Sequence, residues 1–216
     1  MSWRNAVAYF LFTGIAGVPL AFILCAIPLF LLFGGLEGAG ATMESLMRRR
    51  PLDLTMVMTF SFNGLNEEIW KASPLLIFGL RRQQIHSARD GLLLGLFSGA
   101  GFGLMESSLA AISSTASLKG ILLQSLTRTL AHASFAGVSG WFIGLASQRP
   151  RSRWPLIVTG ILLAALFHTL ANIWMATRST PRYVPEIANA LLVLLLLLWT
   201  HILTVSEKLF RQSPQP

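Results

Sequence analysis

Charge is what this sequence has least of. Asp, Glu, Lys and Arg make up 12% of its 216 residues, about half the share of an ordinary soluble domain. That scarcity excludes a water-soluble globular fold. In its place stand 53% hydrophobic side chains and a mean hydropathy of +0.61. Cysteine is nearly absent: the single Cys25 lies in an apolar run and can form no internal disulfide. Aspartate occurs at Asp53 and Asp90 alone, both at the edges of apolar runs, which excludes an aspartyl dyad at membrane depth. The zinc signature His-Glu-x-x-His is missing too. The net charge of +8 is no sign of nucleic acid, because the basic residues sit in short loops between apolar runs and not in an arm interleaved with aromatics.

What is present is a series of apolar runs longer than the roughly 18 residues that mark a membrane span. They predict an all-α polytopic membrane protein, a single domain over residues 1–216, with about six transmembrane helices in a compact bundle. The spans read as Ala6–Phe33, Met56–Leu80, Gly91–Ser114, Gly120–Ala146, Pro155–Ala176 and Ile187–Thr204. The first is too long for a signal-peptide core and reads as a retained span. Breaks rich in arginine and proline separate the spans, and the polar tail 212–216 reads as disordered. With six spans, nine basic residues (Arg4, Arg81, Arg82, Arg89, Arg149, Arg151, Arg153, Lys208, Arg211) share one side against six on the other. That bias puts both termini in the cytoplasm, with the Arg48–Arg50 cluster arguing the other way. Gly91, Gly95, Gly99 and Gly103 recur every four residues, which predicts a close-packing seam that draws the third helix inside the bundle.

Ionisable groups at membrane depth cost about 2.5–3.5 kcal/mol each on insertion scales and mark function by default. The second span carries Glu67, Glu68 and Lys71, spaced so that either acid can reach the lysine along the helix. Pro74 follows and should disturb that helix. Glu106 lies in the third span. Arg128 and His132 share a face of the fourth, and His168 and Asn172 share a face of the fifth. At about 1.5 Å per residue, Glu67, Glu106, His132 and His168 all fall roughly 15–20 Å into their spans, at similar levels. One shared polar site between residues 56 and 176 is therefore geometrically allowed.

Bland readings exist for each group. Lys71 with either acid could be a buried structural pair, Arg128 could neutralise Glu106, and Asn172 could be interhelical glue. Two histidines and three acids converging from four helices tilt the balance to chemistry. Gly137-Val138-Ser139-Gly140 with the later His168 and Asn172 is similar to rhomboid elements, but their order along the chain is reversed. Ser139 is also about 10 Å from His132 along one helix, too far for a dyad. Glutamate with histidine remains. A Glu could act as general base on water, with His132 or His168 and Asn172 hydrogen-bonding the developing oxyanion. A divalent metal such as zinc, held by the same Glu and His groups, is an equal way to activate that water, and the sequence leaves the choice open.

Glu67-Glu68-x-x-Lys71, Phe102-x-x-x-Glu106, Arg128-x-x-x-His132 with the glycine-spaced segment after it, and His168-x-x-x-Asn172 resemble the motif series of PrsW-type intramembrane proteases. That family is similar to the CAAX prenyl proteases and bacteriocin-processing enzymes. The resemblance covers about residues 56–176. It implies a membrane-embedded protease of glutamate type or metal-assisted, with Glu67 as the water-activating base, Glu68 beside it, and His132, His168 and Asn172 completing the site. Lys71, Glu106 and Arg128 would support them. Ser107 after the third-span acid departs from the Asn of that pattern, so Glu106 is weighed as a supporting group. Members cleave membrane-tethered proteins, in PrsW's case an anti-sigma factor in bacterial stress signalling, so the implied setting is a bacterial inner membrane. Two rival readings use the same residues: a proton- or ion-coupled transporter, and a catalytically silent scaffold that holds a partner's transmembrane helix.

Overall fold

The structure is a computed structural model, and it describes residues 3–24, 53–112, 115, 117–177, 198 and 201. Among these residues there is no strand. Five long helices make up the described protein: α1 Trp3–Leu24, α2 Leu54–Pro74, α3 Ala88–Ile112, α4 Leu118–Gln148 and α5 Arg153–Thr177. The expected last span Ile187–Thr204, the end of the first beyond Leu24, Cys25, the Arg48–Arg50 cluster and the tail 212–216 lie outside the described residues, apart from Leu198 and His201.

The ends of the helices follow local chemistry. Asp53 starts α2 by accepting the Met56 amide at 2.7 Å, and Ser117 starts α4 by accepting that of Gly120. Both caps lie outside the apolar runs, so these helices begin two residues earlier than hydropathy alone suggests. Pro150 opens the 3-10 turn Pro150–Ser152 that joins α4 to α5. Pro74 does disturb α2. Lacking an N–H, it leaves the Trp70 carbonyl without its helical donor, and the Ser73 hydroxyl donates to that carbonyl at 2.8 Å instead. The chain then widens into the π-helical segment Leu75–Leu80. Here the Lys71 carbonyl is met by Ser98 Oγ of α3 at 2.6 Å, and Thr13 Oγ1 of α1 donates to the Ser98 carbonyl at 2.7 Å. Three helices are thereby tied at the level of Lys71.

The glycine seam packs α3 against α4 and also against α1. A Cβ on Gly91, Gly95 or Gly99 would lie within 2.2 Å of the carbonyl oxygens of Gly140, Ala136 and His132 respectively. One on Gly101 would meet the Phe10 carbonyl of α1 at 2.0 Å. Only hydrogen fits at such spacing. An apolar core including Tyr9, Ala72, Leu75, Leu94, Ile143 and Ile157 fills one end of the bundle. On the outside, Leu162, Leu166 and Leu170 of α5 and Leu122, Leu126 and Leu130 of α4 form exposed stripes at four-residue spacing, the pattern of a surface that meets lipid.

Among the described residues, α1, α3 and the stretch Pro150–Thr177 are long and apolar enough to cross a membrane. The same measure passes over α2, which carries Glu67, Glu68 and Lys71 mid-helix, and α4, which is diluted by Arg128, His132 and small or hydroxyl residues. Those two helices carry Glu67, Glu68, Lys71, Arg128 and His132, five of the seven ionisable groups that the sequence places at membrane depth. The protein is an all-α, integral membrane protein.

Candidate active site

α2 supplies three ionisable groups within one turn. Glu68 and Lys71 are fully buried and Glu67 is 7% exposed. Lys71 Nζ lies 2.6 Å from Glu68 Oε1 and 3.6 Å from Glu67 Oε2, so the lysine serves chiefly Glu68 and lends its charge to both acids. It also sits 4.8 Å above the Phe102 ring of α3, a cation–π contact that helps hold it without water. Glu67 is oriented by Asn63, one turn before it, whose Nδ2 donates to Oε1 at 2.8 Å. The other oxygen, Oε2, is buried with no hydrogen-bond partner among the described residues.

The two histidines approach that free oxygen from different helices. His132 Nδ1 of α4 and His168 Nε2 of α5 each lie 3.7 Å from Glu67 Oε2. Both rings are held from behind. His168 Nδ1 is 3.1 Å from Glu68 Oε1, and His132 Nε2 is 2.9 Å from Glu106 Oε2. Aromatic stacking fixes their planes: Phe102 lies on His132 at 5.5 Å and Phe135 on His168 at 5.2 Å between centroids. The imidazoles stand edge to face, 5.0 Å apart and 80° to each other. Glu106 is in turn paired with Arg128, Nη1 to Oε1 at 3.0 Å, at the more accessible rim of the cluster.

The structure thus brings together seven of the eight residues singled out from the sequence: Glu67, Glu68, Lys71, Glu106, Arg128, His132 and His168. Asn172 is half-buried one turn along α5 from His168 and has no hydrogen bond to the cluster. Ser139 donates to the Ala136 carbonyl of its own helix and takes no part. Sequence reasoning passed over Asn63, although it stands four residues before Glu67 and the rule that paired Glu67 with Lys71 would have found it. It also missed Phe135 and Ser98, whose spacing carries no local signal.

The cluster fits a divalent cation. Glu67, His132 and His168 can each offer one ligand atom, all within 4.8 Å of one another, and all three residues are buried. A carboxylate with two imidazoles is a donor set that zinc takes in hydrolytic sites. Bonds of about 2.0–2.1 Å in tetrahedral array set ligand atoms about 3.3 Å apart, whereas a water at about 2.8 Å from each spreads them to roughly 4.5 Å. The 3.7 Å separations fall between the two, so small side-chain shifts admit either. Charge favours a cation as well: with neutral imidazoles, three carboxylates face Lys71 and Arg128 alone, leaving one negative charge unbalanced. Glu67 Oε2 and His132 Nδ1, both buried and unpartnered among the described residues, are the atoms such an ion would satisfy.

Comparison with known proteins identifies a family. The family described as PrsW family intramembrane metalloprotease matches residues 1–202. A protein named Protease PrsW from Halalkalibacterium halodurans is 25% identical over 115 residues, 53% of each chain. Another of that name from Shouchella clausii is 28% identical over 109 residues, 50% of each chain. The matched stretch therefore spans about half the length of these curated relatives. No solved structure matches the chain.

Proposed function

Because the chain belongs to the PrsW family of intramembrane metalloproteases, we propose that it hydrolyses a peptide bond in a membrane-tethered protein or peptide, with Glu67 at the centre of the reaction. The observation that carries the proposal is one buried carboxylate oxygen, Glu67 Oε2, without a hydrogen-bond partner among the described residues and facing two imidazole nitrogens at 3.7 Å. Glu68 and Glu106 also carry a buried oxygen without a partner among the described residues, but Glu67 Oε2 is the one that both imidazoles face, as a site for water or an ion requires.

Asn63 holds Glu67 Oε1, which leaves Oε2 as the basic atom. A water between Oε2 and the imidazoles gives its proton to Glu67 as its oxygen adds to the scissile carbonyl carbon. The negative charge that moves to the carbonyl oxygen is met by hydrogen-bond donors at the site, for which Asn172 is the proposed neutral one. Glu67 then passes the proton to the departing amide nitrogen as the C–N bond breaks, and its carboxylate is restored. Lys71, 3.6 Å from Oε2, places a positive charge beside that carboxylate. Glu68 and Glu106 hold the two rings, and the low-dielectric surroundings strengthen each of these interactions. Glu67, His132 and His168 are the residues that would hold a divalent ion, which would supply a Lewis acid and a more acidic water. The proposed setting is a bacterial inner membrane with both termini in the cytoplasm, which a reporter fused after Pro216 would locate.

The test is cleavage of a membrane-spanning reporter by the purified full chain in liposomes, with and without chelator, beside Glu67→Gln. Cleavage that Glu67→Gln abolishes, while the variant still inserts and unfolds cooperatively, is the expected result; loss with chelator and return with zinc add the metal. Unchanged cleavage by Glu67→Gln ends this mechanism, and ion flux without cleavage turns the same residues into a transport relay.

A further inference from the structure

The two histidines meet Glu67 through different ring nitrogens. His132 presents Nδ1 and His168 presents Nε2, each at 3.7 Å from Oε2. The opposite nitrogen of each ring is taken by a carboxylate. Glu68 Oε1 holds His168 Nδ1 at 3.1 Å while also accepting from Lys71 Nζ at 2.6 Å. Glu106 Oε2 stands 2.9 Å from His132 Nε2, close though bent from ideal hydrogen-bond geometry, and its other oxygen is held by Arg128. An ionised carboxylate can accept a hydrogen and has none to give, so the ring nitrogen it faces is the one that carries the hydrogen. The choice of tautomer at each ring is thus made by the acid behind it.

We infer that Glu68 and Glu106 are positioning residues that fix the two imidazoles in opposite neutral tautomers, Nδ1–H at His168 and Nε2–H at His132, so that two bare nitrogens of different type face Glu67. The purpose of the device rests on the hydrolytic reading above; the tautomer inferred for His168 rests on its 3.1 Å contact with Glu68, and that for His132 on the 2.9 Å approach of Glu106, an ion-pair distance outside hydrogen-bond geometry. The stacked rings of Phe102 and Phe135 oppose a flip that would exchange the nitrogens, since turning either imidazole would drag it through a packed aromatic face. The chemical consequence is specific. Neutral rings held this way receive hydrogens or an ion and donate nothing to the substrate, so in the resting enzyme the donors for the developing oxyanion come from elsewhere. Any ion held here has one Nδ1 and one Nε2 ligand. Acids behind metal-bound histidines commonly set ring orientation in this manner. Here the two acids lie on different helices, Glu68 in the buried interior and Glu106 at the rim, so the His132 side is the more accessible of the two.

Nitrogen NMR of ¹⁵N-histidine-labelled, metal-free full chain in detergent, recorded over a series of pH values, reads the tautomers directly, because a bare ring nitrogen resonates far from one that carries hydrogen. His86→Gln and His201→Gln remove the two histidines outside the cluster from the spectrum. One ring in each tautomer is the expected result. In Glu106→Gln, which keeps shape and acceptor but loses charge, the Nε2–H signal should give way to a mixture while the Nδ1–H signal stays. Two rings in the same tautomer, or an even mixture in both, overturn the inference, as does a Glu106→Gln spectrum identical to the parent's. Cleavage by a protein whose rings share one tautomer sinks this inference alone; opposite tautomers in a protein that cleaves nothing sink the peptidase and leave the device standing.

Discussion

Adding one methyl group at Gly99 is the sharpest perturbation of the site that substitutes none of its residues. A Cβ there would lie 2.2 Å from the His132 carbonyl oxygen, 2.7 Å from its carbon and 2.8 Å from the Ala133 Cα. All three are backbone atoms, so no side chain can swing aside. Restoring an ordinary contact of about 3.4 Å requires α3 and α4 to part by roughly 1.2 Å. His132 departs from the point of contact itself, so its ring moves with the helix and leaves positions 3.7 Å from Glu67 and 2.9 Å from Glu106. Overpacking of this kind costs about 1–3 kcal/mol of stability. A catalytic group misplaced by about 1 Å costs on the order of 100-fold in rate, or roughly 2.7 kcal/mol of barrier. Gly99→Ala is therefore expected to lower kcat/KM for a membrane-spanning reporter about 100-fold, with a smaller fall in thermal stability. Gly137→Ala on α4, the helix of His132, is the control, because a Cβ there meets flexible ends, Leu96 Cδ2 at 3.0 Å and Leu92 Cδ1 at 3.2 Å, and should leave activity near the parent's. Gly99→Ala with the parent's kcat/KM would refute the link between the glycine seam and the placement of His132.

Lys71→Met leaves Glu68 buried without its cation, and the loss of one partner of a buried pair costs about 3–5 kcal/mol. Thermal unfolding should show that fall, and Lys71→Met with Glu68→Gln should recover much of it; no recovery would mean the pair is not coupled. His168→Ala removes one of the two nitrogens facing Glu67, and cleavage should fall nearly as far as in Glu67→Gln, by about 100-fold or more. Full activity in His168→Ala would take that ring out of the site.

Much of the helical plan is legible in the sequence because membrane spans are written in composition. α2 to α5 lie where the apolar runs predict them, each starting two or three residues early; at α2 and α4 the early start comes from Asp53 and Ser117, which cap through side chains that hydropathy does not weigh. Pairs on one helix were equally legible: Glu67 and Glu68 with Lys71 follow from spacing alone. Depth counting brought His132, His168 and Glu106 to the level of Glu67 but not to its face, since a helix can be rotated about its axis without changing the depth of any residue.

Rotation is what the tertiary structure decided. The glycines at 91, 95 and 99 turn one face of α3 onto α4, and that contact aims His132 inward. Gly64 does the same between α2 and α5: a Cβ on it would meet Thr169 Oγ1 at 2.9 Å and the Ala165 carbonyl at 3.2 Å, next to His168. The sequence by itself determined that Glu67, Glu68, Glu106, His132 and His168 would lie in an apolar bundle, because each falls inside an apolar run long enough to span a membrane. Which nitrogen faces which oxygen, and that Glu67 Oε2 faces both imidazoles while Glu68 Oε1 is taken by Lys71 and His168, came from packing between helices. Those choices are separated by about an ångström, and an ångström is set by backbones in contact, which no periodicity records.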